Sequence, residues 1–323
     1  MSRVLLFVAL TPLLYILWES GVSQVFDGFQ EKQLKGKRVF IGGASSGIGE
    51  QMAYKYCKFG AHVALLSRRR SALEKVASKC RSFGAASVVV VDADVSTVEA
   101  SRAALWTALK APGFDRKLDV LVLNHVIGMW GWWLPDKMDW KDFLPDDPHK
   151  RPDFIEPNEH ANGLRGGYGF LEKVFRVNTF SYIYLSTMSM PFLEKSGGRI
   201  IVVSSGAGKM GLPKVAPYSA TKHALHGFFD SLRLELIHKG LSVSISIGVI
   251  GNIDTEANKK NTAGDLNYVK RASKLDCALA IIRAGQARER EFFFPVEQGL
   301  HIISKIRPWM MNPFDKILLA VAQ

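Results

Sequence analysis

RVFIGGASSGIGEQMAYKYCKFG, residues 38–60, decides the fold class. RVFI is a short apolar run suited to a strand, EQMAYKYCKFG is a helical pattern, and a glycine-rich turn joins them. Gly43 permits the tight turn, Gly47 lets backbone approach a ligand, and Gly49 lets helix and strand pack closely. A strand that feeds a helix through such a turn leaves free N–H groups at the helix start, where they suit phosphate. Outward from it, HVALLS, SVVVVDAD, DVLVLNH, RIIVVSS and SVSISIGVI repeat the strand pattern with helical stretches between them. Runs that are apolar nearly throughout, rather than alternating, belong to a parallel sheet covered by helices on both faces. The expectation is a doubly wound α/β fold, and with no repeat or low-complexity linker inside residues 35–298, one domain.

The glycine turn, Gly43, Ala44, Ser45, Ser46, Gly47, Ile48 and Gly49, is expected to cradle the pyrophosphate of a dinucleotide. After the second strand, where an NAD site places Asp or Glu against the ribose hydroxyl, the chain has Ser67, Arg68 and Arg69. No carboxylate stands among them, and guanidinium groups offer charge-assisted donors to a 2′-phosphate, so NADP(H) is the expected cofactor. Asp94 with Val95, beyond the third strand, is placed near the adenine amino group, and Asn124, ending the fourth, near the adenine ribose.

Ser205 ends RIIVVSS, and Tyr218 and Lys222 follow within YSATK at a spacing that puts both on one helix face. A phenol of ordinary pKa near ~10 must exchange a proton at neutral pH, and an adjacent ammonium favours its phenolate. Tyr218 is therefore the expected acid/base, Lys222 its electrostatic tuner, and Ser205 the group that holds the substrate oxygen. Asn178, in FRVNTF, is expected to hold a water linking Lys222 to solvent.

In this order and spacing, the glycine turn, Arg68 and Arg69, Asn124, Asn178, Ser205 and the Tyr218/Lys222 pair resemble the short-chain dehydrogenase/reductase family over residues 35–298. LVLNH, VVSSGAGK, YSATKHALHGFF and GNIDTE bring the likeness closer to its 11β-hydroxysteroid dehydrogenase branch. The resemblance implies a Rossmann-type sheet, NADP(H), a Ser-Tyr-Lys-Asn tetrad, attachment to the endoplasmic reticulum with a lumenal domain, and often dimers. It also implies that Ile253 and Thr255 touch the nicotinamide carboxamide and phosphates. Gly42 stands where the family usually has Thr, and NHVIG replaces NNAG. The aromatic insertion after Gly128 lies where family members shape the substrate entrance, so steroid specificity does not carry over.

Among the 323 residues, 47% are hydrophobic and 22% charged, which excludes a disordered chain. A net charge of +12 would suit nucleic acid, an anionic membrane or a phosphorylated ligand. Lys and Arg are scattered and no nucleic-acid-binding motif accompanies them, so no nucleic-acid partner is expected. Cys57, Cys80 and Cys277 have no metal-ligand spacing, so no metal is expected, and Cys57 and Cys80 read as small buried hydrophobes.

Residues 1–34 form an apolar segment and linker. VLLFVALTPLLYILW, residues 4–18, is short for a ~30 Å hydrocarbon core but suits an uncleaved membrane anchor, since only Arg3 precedes it and no small-residue cleavage site follows. Lys32, Lys35, Lys37 and Arg38 behind it favour a cytosolic domain, against the resemblance, and no glycosylation sequon supports a lumenal one. Residues 129–168 hold Trp130, Trp132, Trp133 and Trp140 and are expected to cap the substrate cleft, meet a membrane or partner, or pack as a surface insertion. Residues 299–323 are an apolar tail for a membrane interface, a dimer contact or packing within the protein. The whole describes a membrane-associated oxidoreductase acting on a lipophilic alcohol or ketone, such as a steroid, retinoid or lipid aldehyde. The alternative is a membrane-bound scaffold on a retained dinucleotide fold.

Overall fold

In the computed structural model, residues 29–133, 167–262 and 270–302 are described. The six expected strands form: β1 (Arg38–Gly42), β2 (His62–Ser67), β3 (Ser87–Asp92), β4 (Val120–Leu123), β5 (Arg199–Val203) and β6 (Ser244–Ile250). A seventh, β7 (Glu291–Phe294), closes one edge of a parallel sheet ordered β3-β2-β1-β4-β5-β6-β7. Its EFFF run is short, follows a charged stretch and stops at Pro295, so nothing local announces a strand; pairing with β6 creates it. The strand order reverses between β1 and β4, the crevice at which open α/β sheets bind dinucleotides.

Eight α-helices are described: α1 (Gly47–Lys58), α2 (Arg70–Ser82), α3 (Val98–Lys110), α4 (Gly167–Phe175), α5 (Ser181–Ser196), α6 (Ala216–His238), α7 (Glu256–Thr262) and α8 (Lys274–Ala287). Two apolar clusters cover the sheet. One joins α1, α2 and α8 to its first face through Met52, Val76 and Ile281. The other joins α3, α5 and α6 to the opposite face through Leu105, Leu185 and Phe229. This two-faced burial is why the strands carry no polar alternation.

The cysteine expectation needs correction. Cys57 of α1 and Cys80 of α2 form a disulfide, with Cα atoms 5.3 Å apart and both residues buried. Successive βαβ crossovers of one hand lay α2 beside α1 on the same face, so residues separated by 23 in sequence meet. Cys277 is free and buried.

Among the described residues, no helix is long and apolar enough to cross a membrane. Residues 4–18, most of the insertion 129–168 and the tail beyond residue 302 lie outside the described residues.

Candidate active site

The glycine turn lies in the crevice at the ends of β1 and β4. Gly43 has φ +73°, and a Cβ there would come within 2.8 Å of the His125 backbone; at Gly49 it would overlap the Gly43 carbonyl. Both positions exclude any side chain. Ser46 caps α1 in an extended conformation without a side-chain bond to the helix, because its hydroxyl faces the Arg69 guanidinium at 2.7 Å. The same Arg69 nitrogen donates to Ser45 Oγ at 2.8 Å, so the end of β2 closes over the turn. A tight backbone, helix-start N–H groups and a guanidinium fit a phosphorylated dinucleotide.

The arginine run is sorted by its neighbouring strand. Parallel pairing sets Asp92 beside Ser67, so Arg70 bonds Asp92 at 3.3 Å and Arg68 lies 3.7 Å from Asp94. Carboxylates therefore do approach the end of β2, contrary to the reading along the chain, but they come from β3. Asp94 also accepts from the Ser96 N–H at 3.1 Å, and Val95 is buried. Asn124 Nδ2 reaches the Gly43 carbonyl at 3.4 Å, beneath the turn. Thr255 Cγ2 would lie 3.3 Å from a Cβ at Gly47, which brings the GNIDTE loop against the turn, and Thr255 Oγ1 accepts from the Asn258 N–H. Ile253 is buried, and its carbonyl accepts from the Thr255 N–H and from Asn258 Nδ2, both at 2.9 Å.

Across the crevice, the end of β5 meets α6. Ser205 caps a 3₁₀ turn (Gly206–Gly208), accepting from the Ala207 N–H at 3.2 Å, and its hydroxyl faces the Tyr218 phenol. Burial pushes the Tyr218 phenol above its ordinary pKa, and the Ser205 hydroxyl opposes that rise. Lys222 Nζ sits 5.6 Å from the Tyr218 ring centroid and donates to the Val203 carbonyl at 2.9 Å. Burial brings its ammonium down to about 7. Ser205 thus draws the phenol downward, and burial weakens the Lys222 ammonium beside it.

Asn178 lies in a π-helical turn (Arg176–Phe180) between α4 and α5. Its Oδ1 accepts from the Ile127 N–H at 2.8 Å, and its Nδ2 donates to the Ile127 carbonyl at 2.9 Å. The side chain pins the strand-end loop to the helix.

Sequence reasoning missed His125. Its Nε2 is 2.6 Å from Ser181 Oγ, its carbonyl accepts from Tyr182 Oη at 2.8 Å, and burial, with Lys222 nearby, pushes the imidazole down to about 3. A neutral ring therefore separates the glycine turn from Lys222. The only signal was the His after Asn124.

A family model of short chain dehydrogenases matches residues 37–139 and 169–265. The chain belongs to the short-chain dehydrogenase family. It is accordingly an oxidoreductase that uses a nicotinamide dinucleotide. A chicken (Gallus gallus) hydroxysteroid 11-beta-dehydrogenase 1-like protein is 38% identical over 297 residues, covering 90% of this chain and 88% of that one. The zebrafish (Danio rerio) protein of the same name is 36% identical, with 90% and 88% covered. Among solved structures, an alcohol dehydrogenase from Thermococcus sibiricus complexed with 5-hydroxy-NADP superposes with TM-score 0.60 at 20% identity, covering 80% of this chain and 95% of that one. A 3-ketoacyl-(acyl-carrier-protein) reductase from Brucella melitensis complexed with NADH gives TM-score 0.62 at 21% identity, with 81% and 97% covered. Within this short-chain dehydrogenase, Gly42 and His125 form one local solution: a Cβ at position 42 would overlap the His125 ring as it lies here.

Proposed function

We propose that this short-chain dehydrogenase moves a hydride between NADP(H) and a lipophilic alcohol or ketone at a membrane, with Tyr218 as the acid/base. The observation that carries this reading is the Tyr218 phenol set between the Ser205 hydroxyl and buried Lys222, whose Nζ is 5.6 Å from the Tyr218 ring centroid, across the crevice from the glycine turn. NADPH, when bound, supplies the hydride for reduction, and NADP⁺ accepts it in oxidation. In reduction, Ser205 holds the substrate oxygen by hydrogen bond and Tyr218 Oη releases its proton to that oxygen. In oxidation, Tyr218 takes the hydroxyl proton. Lys222 stabilises the phenolate when protonated. Arg69, Ser45 and Ser46, with Arg68, would receive the 2′-phosphate.

A lipophilic substrate is supported by the hydroxysteroid names of the similar proteins and by apolar side chains that reach the Ser205 turn. Leu300 packs on Gly206, and the Gly131 N–H donates to the Lys214 carbonyl at 2.7 Å, with Lys214 Nζ 5.7 Å from the Trp132 ring. The root of the aromatic insertion is thereby held on the loop between Ser205 and Tyr218. The test is turnover by the purified full chain with NADPH and NADP⁺ over hydroxysteroids, retinoids and long-chain aldehydes. Oxidation or reduction of at least one such class is expected; cofactor binding without turnover across all of them would defeat the proposal.

For location, the proposal is the endoplasmic reticulum membrane, anchored by residues 4–18, with the domain in the lumen. Flanking lysines argue for the cytosol. The Cys57–Cys80 disulfide argues the other way, since such bonds persist in oxidising compartments. Closing a loop of this length is worth about 3 kcal/mol, so Cys80→Ala is expected to lower the unfolding free energy by that order. In cells, a sequon introduced on an exposed face should be glycosylated, and Cys57 and Cys80 should resist alkylation when the chain is denatured without reductant. An unglycosylated chain with both thiols reactive would place the domain in the cytosol.

A further inference from the structure

Behind the Ser205 turn lies a buried polar circuit that the reaction scheme does not use. Ser204, 3% exposed, has its Oγ 3.0 Å from Nε2 of His226, which is 7% exposed. His226 extends the α6 stripe of Tyr218 and Lys222 by one more turn. On its other side, Nδ1 lies 3.4 Å from Glu291 Oε1 of β7, an ion-pair distance, and the same oxygen receives Lys209 Nζ at 2.6 Å. Lys209 directly follows the 3₁₀ turn that Ser205 caps, so the circuit returns to its start.

A Ser, His and Glu in sequence have the composition of a nucleophilic triad, and packing excludes that use. A Cβ at Gly208 would come 2.8 Å from Ser204 Oγ and 3.0 Å from His226 Cδ2, so the turn lies flat on the pair with no room for an acyl group. The remaining use is mechanical. Burial lowers the imidazole pKa while Glu291 opposes it, with Lys209 and Asp230 the other charged groups facing it. Burial would raise Glu291, and its contacts with His226 and Lys209 prevail and hold it below the usual carboxylate range. The carboxylate lies 3.4 Å from Nδ1, close in charge but short of a formed hydrogen bond, and a neutral ring protonated on that side leaves Nε2 to accept from the Ser204 hydroxyl.

We propose that His226 is a positioning residue which, through Ser204 and the Glu291–Lys209 pair, fixes the turn that carries Ser205 and so holds the Ser205 hydroxyl on Tyr218. This rests on the assignment of Ser205 and Tyr218 to the reaction. His226→Leu and Ser204→Ala should each lower kcat about ten- to a hundredfold, the effect of a small misplacement, with NADPH affinity unchanged. The double variant should be no worse than the poorer single one, and His226→Gln, which keeps an acceptor for Ser204, should recover most of the loss. A second readout is independent of turnover: the Tyr218 phenol, titrated by ultraviolet difference against Tyr218→Phe, should ionise at higher pH in Ser204→Ala, as it loses the Ser205 hydroxyl. That variant removes one hydroxyl and serves if His226→Leu does not fold. Unchanged kcat with an unmoved phenol titration, or additive losses without recovery by Gln, would overturn the proposal. Activity retained by Tyr218→Phe would instead overturn the site assignment beneath it.

Discussion

Tyr218→Phe is expected to bind NADPH as the native chain does and to lower kcat by roughly 10²–10⁴-fold, the usual contribution of a positioned acid/base. Phe keeps the half-buried ring and removes only the oxygen that faces Ser205, so folding and the cofactor crevice are left intact. The direction of the phenol's shift adds a pH signature. Burial holds Tyr218 protonated through neutrality, which suits it to give a proton in reduction and requires a higher pH for it to accept one in oxidation. Carbonyl reduction by the native chain should therefore persist through neutral pH while alcohol oxidation rises into the alkaline range. Steady-state kinetics in both directions, with dinucleotide fluorescence to measure binding, checks all three points. Full turnover in the Phe variant would remove Tyr218 from the acid/base role.

The second large effect concerns cofactor choice. Replacing Arg68 and Arg69 together by Ala should weaken NADPH by roughly 10²–10³-fold and NADH by only a few-fold, since charge-assisted bonds are worth about 1.5–3 kcal/mol each. Arg69 should dominate, because its guanidinium already lies on Ser45 and Ser46 of the phosphate turn. Arg68 is shared with Asp94, and removing it leaves that carboxylate beside the incoming phosphate. Dissociation constants for both dinucleotides at one ionic strength decide the matter. Equal losses would mean that the arginines serve the shared pyrophosphate or the fold instead.

The two predictions differ in how far the sequence could carry them. RVFI followed by glycines and a helix is a local pattern with one physical solution, so the nucleotide half of the fold could be read from residues 38–60 alone. Tyr218 and Lys222 were legible because a helix turns a spacing of four into a shared face. Whatever depends on a second segment was not. Glu291–Phe294 becomes a strand only beside β6, and the arginine run divides only when β3 brings Asp92 and Asp94 alongside. Asn178 stands out in the sequence, but its bond to Ile127 depends on a π-helical turn that no local pattern announces. His226 reads as one more polar helix position until Ser204 and Glu291 close on it.

The disulfide has a geometric consequence for the cofactor. α1 and α2 both begin at the crevice, one with Ser46 and the other with Arg69 at its cap, while Cys57 and Cys80 join them near their opposite ends. The pair is built like tongs with a rivet at the handle. The jaws are expected to keep one span, so that an arriving dinucleotide would meet a gauge already set rather than two helices that it must first draw together.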